Sequence, residues 1–160
     1  MKKNKILKVC ITEIMIIFII NSVVFYPLWN PYMKKTATIN AFSKDRKSMQ
    51  AITQEWNKSN YNYMITDQEN YNANIIYVGN ALDDNIIINK NKDCFEYLLV
   101  EKRYQYIMKS DNAIYFTKYA SLGNGYGIAF SVSGDKPQNE FIISCEKIDG
   151  YDKWYFYVME

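Results

Sequence analysis

A long apolar run near the start of the chain, from Ile6 to Trp29, constrains its folding more than any other feature. A transmembrane helix needs about 20 mainly apolar residues. Residues 9–29 supply 21, with Glu13 as their single charged side chain. A carboxylate one turn from the membrane surface can still reach water. The sequence therefore predicts one helix over residues 9–29 that is embedded in membrane lipid.

This run is typical either of a cleaved signal peptide or of an uncleaved signal anchor. Signal peptides have an apolar region of about 7–15 residues and a cleavage site of small residues. Here the run is longer, and Trp29-Asn30-Pro31-Tyr32 ends it. A signal anchor fits better, with the lysine-rich residues 1–8 as a cytoplasmic tail and residues 30–41 as a connector. Residues 42–160 then form a domain outside the cytoplasm, in a bacterial cell envelope.

The charge of the chain is concentrated beside the apolar run. The whole chain has a net charge of +2, whereas residues 33–160 hold 15 basic and 16 acidic side chains. Nucleic-acid binding requires a basic patch on the folded domain itself. We therefore expect no nucleic acid among the partners.

One amphipathic helix is predicted directly after the connector. Ser43 is the expected N-cap, because its hydroxyl can accept from a free amide of the first turn. Asp45 would lie in that turn, where a carboxylate suits the helix dipole. Met49, Ile52 and Trp56 follow with helical spacing and form one apolar stripe.

The remainder of the domain has the pattern of short strands. We expect strands near residues 61–65, 74–78 and 85–89, and then a short second helix capped by Asp93. Two hairpins follow, of which the first turns at Ser110-Asp111-Asn112 and the second at Asp149-Gly150. The strands expected in this half are 104–109, 113–119, 126–132, 140–148 and 153–159. The predicted fold class is α+β, in which an N-terminal transmembrane helix precedes one small domain with a helix packed on an antiparallel β-meander.

The residue types present exclude several chemistries. The chain has no histidine, which removes the Ser-His-Asp triad, the Cys-His dyad and histidine-ligated zinc. The Ser133-Gly134-Asp135-Lys136 sequence matches the S-x-x-K pattern of serine β-lactamases, but Pro137 directly follows it and indicates a turn. No cofactor and no metal site is predicted. The carboxylates of Asp83, Asp84 and Asp111 remain as candidates for an enzymatic alternative.

Two cysteines, Cys94 and Cys145, lie within the predicted domain. Outside the cytoplasm they can form a disulfide. Alternatively they are two separate buried thiols, since free cysteine often behaves as a small apolar residue. Cys145 alternates with Phe141 and Ile143, which predicts that all three side chains share one buried face.

The last strand contains an aromatic run, Trp154-Tyr155-Phe156-Tyr157. One interpretation is a central strand that is buried on both faces. The other is that Tyr155 and Tyr157 form an exposed aromatic surface for a glycan or a peptide.

The sequence does not identify a reaction, and non-enzymatic binding is the favoured class. We expect a single-pass membrane protein whose domain acts as an accessory or immunity-type module and binds an envelope protein, a peptide or a cell-wall glycan. One alternative is a small envelope hydrolase that uses carboxylates. Another is a structural subunit of a membrane complex, in which Asn21 contacts a partner helix.

Overall fold

In a computed structural model of the chain, two compact units are present, Met1–Ala37 and Thr38–Glu160. Every described strand belongs to the second unit. The described residues of the whole chain are 15, 31–58, 62–67, 73–78, 91–110, 112–121 and 124–160. Within 62–67 and 73–78 the description is of the backbone.

A single antiparallel sheet forms the body of this unit. Its strands are β1 (Asn62–Asp67), β2 (Ala73–Val78), β3 (Tyr106–Ser110), β4 (Ala113–Ser121), β5 (Asn124–Ser131), β6 (Ile142–Lys147) and β7 (Trp154–Met159). Their order across the sheet is β2-β1-β3-β4-β5-β7-β6, and every neighbouring pair is antiparallel. Strands β6 and β7 are exchanged relative to the predicted meander, because β7 and not β6 pairs with β5. The part of the meander from β3 to β5 is present. Its β3–β4 turn is tighter than predicted, because Ser110 already pairs with Ala113.

Helix α1 (Pro31–Trp56) begins earlier than the sequence predicted. Proline suits the first turn of a helix, where its missing N–H breaks no intrahelical bond. Ser43 is therefore not an N-cap. It lies in mid-helix, and its hydroxyl donates 2.8 Å to the carbonyl oxygen of Asn40, as serine does when it bonds back to the preceding turn. The residues expected to form a connector, from 31 to 41, are helical.

The apolar stripe of α1 packs on one face of the sheet, which confirms the α+β prediction of a helix on an antiparallel sheet. Met49, Ile52 and Trp56 are fully or almost fully buried. Phe42 extends this stripe, and its ring centroid lies 4.9 Å from that of Trp154 on β7. The sheet residues of this helix-side cluster include Ile107, Ile114, Phe116, Ile128, Trp154 and Phe156.

The opposite face of the sheet has a second cluster, rich in tyrosine. Its buried members are Ala113, Tyr115, Ala129, Cys145, Tyr155 and Tyr157. Alternation along β7 explains the division, because successive side chains of a strand point to opposite faces. Trp154 and Phe156 therefore face α1, while Tyr155 and Tyr157 face away from it.

A second helical segment, residues 91–101, packs in the same layer as α1. Residues 91–96 are α-helical and Tyr97–Glu101 form a π-helical turn. Asp93 lies inside this helix. The π-helical turn ends at Glu101. Arg103 then has a left-handed φ of 54°, and the N–H of Tyr104 bonds to the carbonyl oxygen of Leu98 at 2.9 Å. Leu98 and Leu99 are buried in the core.

The predicted membrane helix over residues 9–29 lies, apart from Met15, outside the described residues, as does the strand expected at 85–89. Across the ranges that the structure describes, no helix is both long and apolar enough to cross a bilayer.

Candidate functional site

Strand β6 forms one edge of the sheet and has β7 as its neighbour on one side. Ile148, just after β6, donates its N–H to the carbonyl oxygen of Trp154 at 2.9 Å. Hydrogen-bonded and non-hydrogen-bonded pairs alternate in an antiparallel ladder. From this alternation, the backbone N–H and C=O groups of Cys145 and Lys147 point away from β7. They lie at an edge that has no neighbouring strand within the described part of the chain.

The start of β6 presents two large apolar side chains to solvent. Phe141 is 53% exposed and Ile143 is 59% exposed. A register irregularity between Ile142 and Ser144 lies at this point and disturbs the alternation of the strand. The chain is fixed here by two backbone contacts, since Glu160 donates its N–H to the carbonyl oxygen of Phe141 at 3.0 Å and Asn139 Oδ1 accepts the N–H of Phe141 at 3.1 Å.

This irregularity overturns one sequence prediction. Cys145 is buried, as expected, but Phe141 and Ile143 do not share its environment. The sequence alternates regularly here and gives no sign of the register irregularity between Ile142 and Ser144. The exposed pair was therefore missed at the sequence level, although Phe141 and Ile143 are conspicuous as apolar residues at the end of a polar loop.

A groove of about 440 Å³ lies beside the exposed pair. Residues 136–140 line one part of it, and residues 142–145 line another.

The turn that precedes the groove is held by two hydrogen bonds to the backbone of Gly134. Ser131 Oγ accepts the N–H of Gly134 at 2.9 Å, and the Tyr155 hydroxyl donates to the carbonyl oxygen of Gly134 at 2.8 Å. Gly134 has a φ of 95°, which favours glycine.

The C-terminal part of the chain carries an excess of acidic side chains at its surface. Residues 135–160 carry three lysines and six aspartates or glutamates, and every one of these nine side chains is exposed. Lys147 Nζ is paired with Asp152 Oδ1 at 3.2 Å. The residues from 135 to 160 therefore combine two exposed apolar side chains at the start of β6 with an excess of acidic over basic side chains.

Cys145 contributes a thiol to the groove lining, but its chemistry is not that of a nucleophile. Burial raises the pKa of the Cys145 thiol to about 11, with Lys136 acting in the opposite direction. The thiolate is the reactive form of cysteine. At neutral pH this side chain is therefore a protonated, weakly polar part of the groove wall.

Cys94 and Cys145 are both free thiols in the structure. Cys94 packs against the helix-side cluster, whereas Cys145 belongs to the tyrosine-rich cluster. The disulfide that the sequence allowed between them stays a prediction.

Tyr155 and Tyr157 do not form an exposed surface. They are 6% and 1% exposed, and their strand lies between β5 and β6 in the sheet. The Tyr157 hydroxyl hydrogen-bonds with the Thr117 hydroxyl. Burial raises the pKa of Tyr157, so its phenol stays protonated. Because both side chains are buried, the interpretation of Tyr155 and Tyr157 as an exposed aromatic surface is wrong.

The carboxylates that carried the enzymatic alternative, Asp83, Asp84 and Asp111, lie outside the described residues. Ser133 of the S-x-x-K match is a turn residue whose Oγ accepts the N–H of Asp135 at 3.2 Å. Among the residues whose placement is described, no three histidine, cysteine, aspartate or glutamate side chains are grouped to hold a metal ion.

The structure instead reveals a buried carboxylate, Asp45, that sequence reasoning had assigned to the helix dipole. Asp45 is 2% exposed. Its Oδ1 accepts from the Tyr97 hydroxyl at 3.1 Å, and its Oδ2 accepts from the Tyr104 hydroxyl at 3.0 Å. Burial, together with the charge of Asp45, raises the pKa of Tyr104.

Lys118 completes this network from β4. Its Nζ lies 4.2 Å from the centroid of the Tyr104 ring and donates to the carbonyl oxygen of Lys102. Burial lowers the pKa of the Lys118 ammonium, and the nearby Asp45 opposes that change. Each of these groups already has partners inside the fold. The network therefore fastens α1 to the segment 97–104 and is a support rather than a reaction site.

The chain matches no protein-family model, no curated protein sequence and no solved structure. Its function is therefore argued from its own residues.

Proposed function

We propose that this chain is a single-pass membrane protein whose domain lies outside the cytoplasm and binds an envelope protein or peptide, as an accessory or immunity-type module. The observation that carries the binding role is the β6 edge, where Phe141 and Ile143 are exposed beside a groove. Exposed apolar side chains next to a concave surface are typical of interaction sites. Residues 9–29 would embed in membrane lipid.

Among the described residues, neither Cys145 nor Asp45 is placed for acid–base catalysis. Cys145 is protonated at neutral pH, and Asp45 is occupied by two phenols. General acid–base catalysis requires a titratable group that can reach a substrate. The groove near β6 has a mixed lining, in which the apolar Ile142 and Ile143 lie beside the polar residues 138–140.

Site-specific photo-crosslinking in cells tests the binding role. A photoreactive phenylalanine analogue replaces Ile143 in the full-length protein, and the matched control carries it at Tyr119, which is 40% exposed on β4. We expect a discrete adduct with one envelope protein from position 143 and none from position 119. Equal labelling at both positions, or none at either, would contradict the proposed binding surface.

Membrane extraction tests the anchor. The full-length chain is expected to remain in the membrane fraction after high-salt and carbonate washing. Mass spectrometry of the purified protein should then find the N-terminal residues 1–8 attached. A mature N-terminus between residues 29 and 45 would show that the apolar run is removed.

A further inference from the structure

We draw no further inference here: the strongest candidate, the exposed apolar pair Phe141 and Ile143 beside the groove at the start of β6, already carries the proposed binding surface, and nothing in the described part of the chain shows what covers it.

Discussion

The hydroxyl of Tyr104 donates a hydrogen bond of 3.0 Å to Asp45 Oδ2, across 59 positions of the sequence. Tyr97 occupies the other carboxylate oxygen. A buried carboxylate is tolerated only where its oxygens are hydrogen-bonded. The pair therefore fixes where the segment 97–104 lies on helix α1.

Replacement of Asp45 tests the strength of this connection. Asp45→Ala leaves the buried Tyr104 hydroxyl and the half-buried Tyr97 hydroxyl without their acceptor, and loss of a buried partner costs about 1–3 kcal/mol. We expect the free energy of unfolding to fall by roughly 2–4 kcal/mol in urea melts. Asp45→Asn keeps one acceptor oxygen and should cost about half as much. A melt of Asp45→Ala that coincides with wild type would show that the network adds nothing to stability.

The sequence predicted the apolar stripe of α1 but missed the hydrogen bonds of Asp45. Met49, Ile52 and Trp56 were recognised because helical spacing is a local property. Asp45 was assigned to a helix start because its partners are more than fifty positions away. A local pattern cannot distinguish a carboxylate in a first turn from one that meets two distant phenols.

The strands of the C-terminal half were also predictable, whereas the candidate site was not. Alternating side chains and the Asp149-Gly150 turn indicated the strands without any long-range information. The site depends on β6 being last in the sheet and on an irregularity between Ile142 and Ser144. Strand order and bulges arise from tertiary packing, so Phe141 and Ile143 were expected to be buried.

Replacement of Trp154 should lower the free energy of unfolding more than replacement of Tyr155. Trp154 packs among Phe42, Phe116 and Phe130, with ring centroids 4.9–6.1 Å away. Trp154→Ala is expected to cost about 3–5 kcal/mol in the free energy of unfolding, as other buried tryptophans do. Tyr155→Phe loses one hydrogen bond to Gly134 and should cost about 0.5–1.5 kcal/mol. Denaturant melts of both variants check this order, and a wild-type melt for Trp154→Ala would contradict the core assignment.

Arg103 offers a stabilising substitution. Its φ of 54° is left-handed, a conformation that costs a residue with a Cβ roughly 1–2 kcal/mol. Arg103→Gly is expected to stabilise the domain by about 0.5–1 kcal/mol, because glycine adopts this conformation readily but loses more chain entropy on folding. Thermal melts should show a higher Tm. The control Arg103→Ala removes the guanidinium and keeps the Cβ, so a similar gain from it would refute the backbone explanation.

Gly127 and Gly125 on β5 allow a comparison of two glycine-to-alanine substitutions in one strand. A Cβ on Gly127 would lie 2.1 Å from the carbonyl oxygen of Phe116, which is backbone of the paired strand. A Cβ on Gly125 would first meet the side chain of Met159 at 2.8 Å, which can change its rotamer. We expect Gly127→Ala to prevent stable folding and Gly125→Ala to cost about 1–3 kcal/mol. Circular dichroism and urea melts measure both, and equal stability of the two variants would be inconsistent with the close approach at Gly127.

The Cys145 thiol predicts a pH dependence of both reactivity and stability. Burial raises its pKa from 9.0 to about 11, so the folded protein favours the protonated thiol. At pH 8 the thiolate fraction should be about 100-fold below that of a thiol with a pKa of 9.0. Alkylation of a Cys10→Ser, Cys94→Ser variant should therefore be slow at pH 8 and accelerate as the pH rises towards 11.

The raised pKa of the Cys145 thiol also determines how its contribution to stability depends on pH. Because the folded pKa is the higher one, the contribution is fully present below about pH 9 and is lost as the pH rises through about 11. Lysines and tyrosines titrate in this range too, so the informative quantity is the difference between wild type and a Cys145→Ala variant. We expect the two stability curves to converge between about pH 9 and pH 11. Curves that stay parallel through this window, or alkylation at pH 8 as fast as that of a free thiol, would show that the groove leaves the Cys145 sulfur exposed to water.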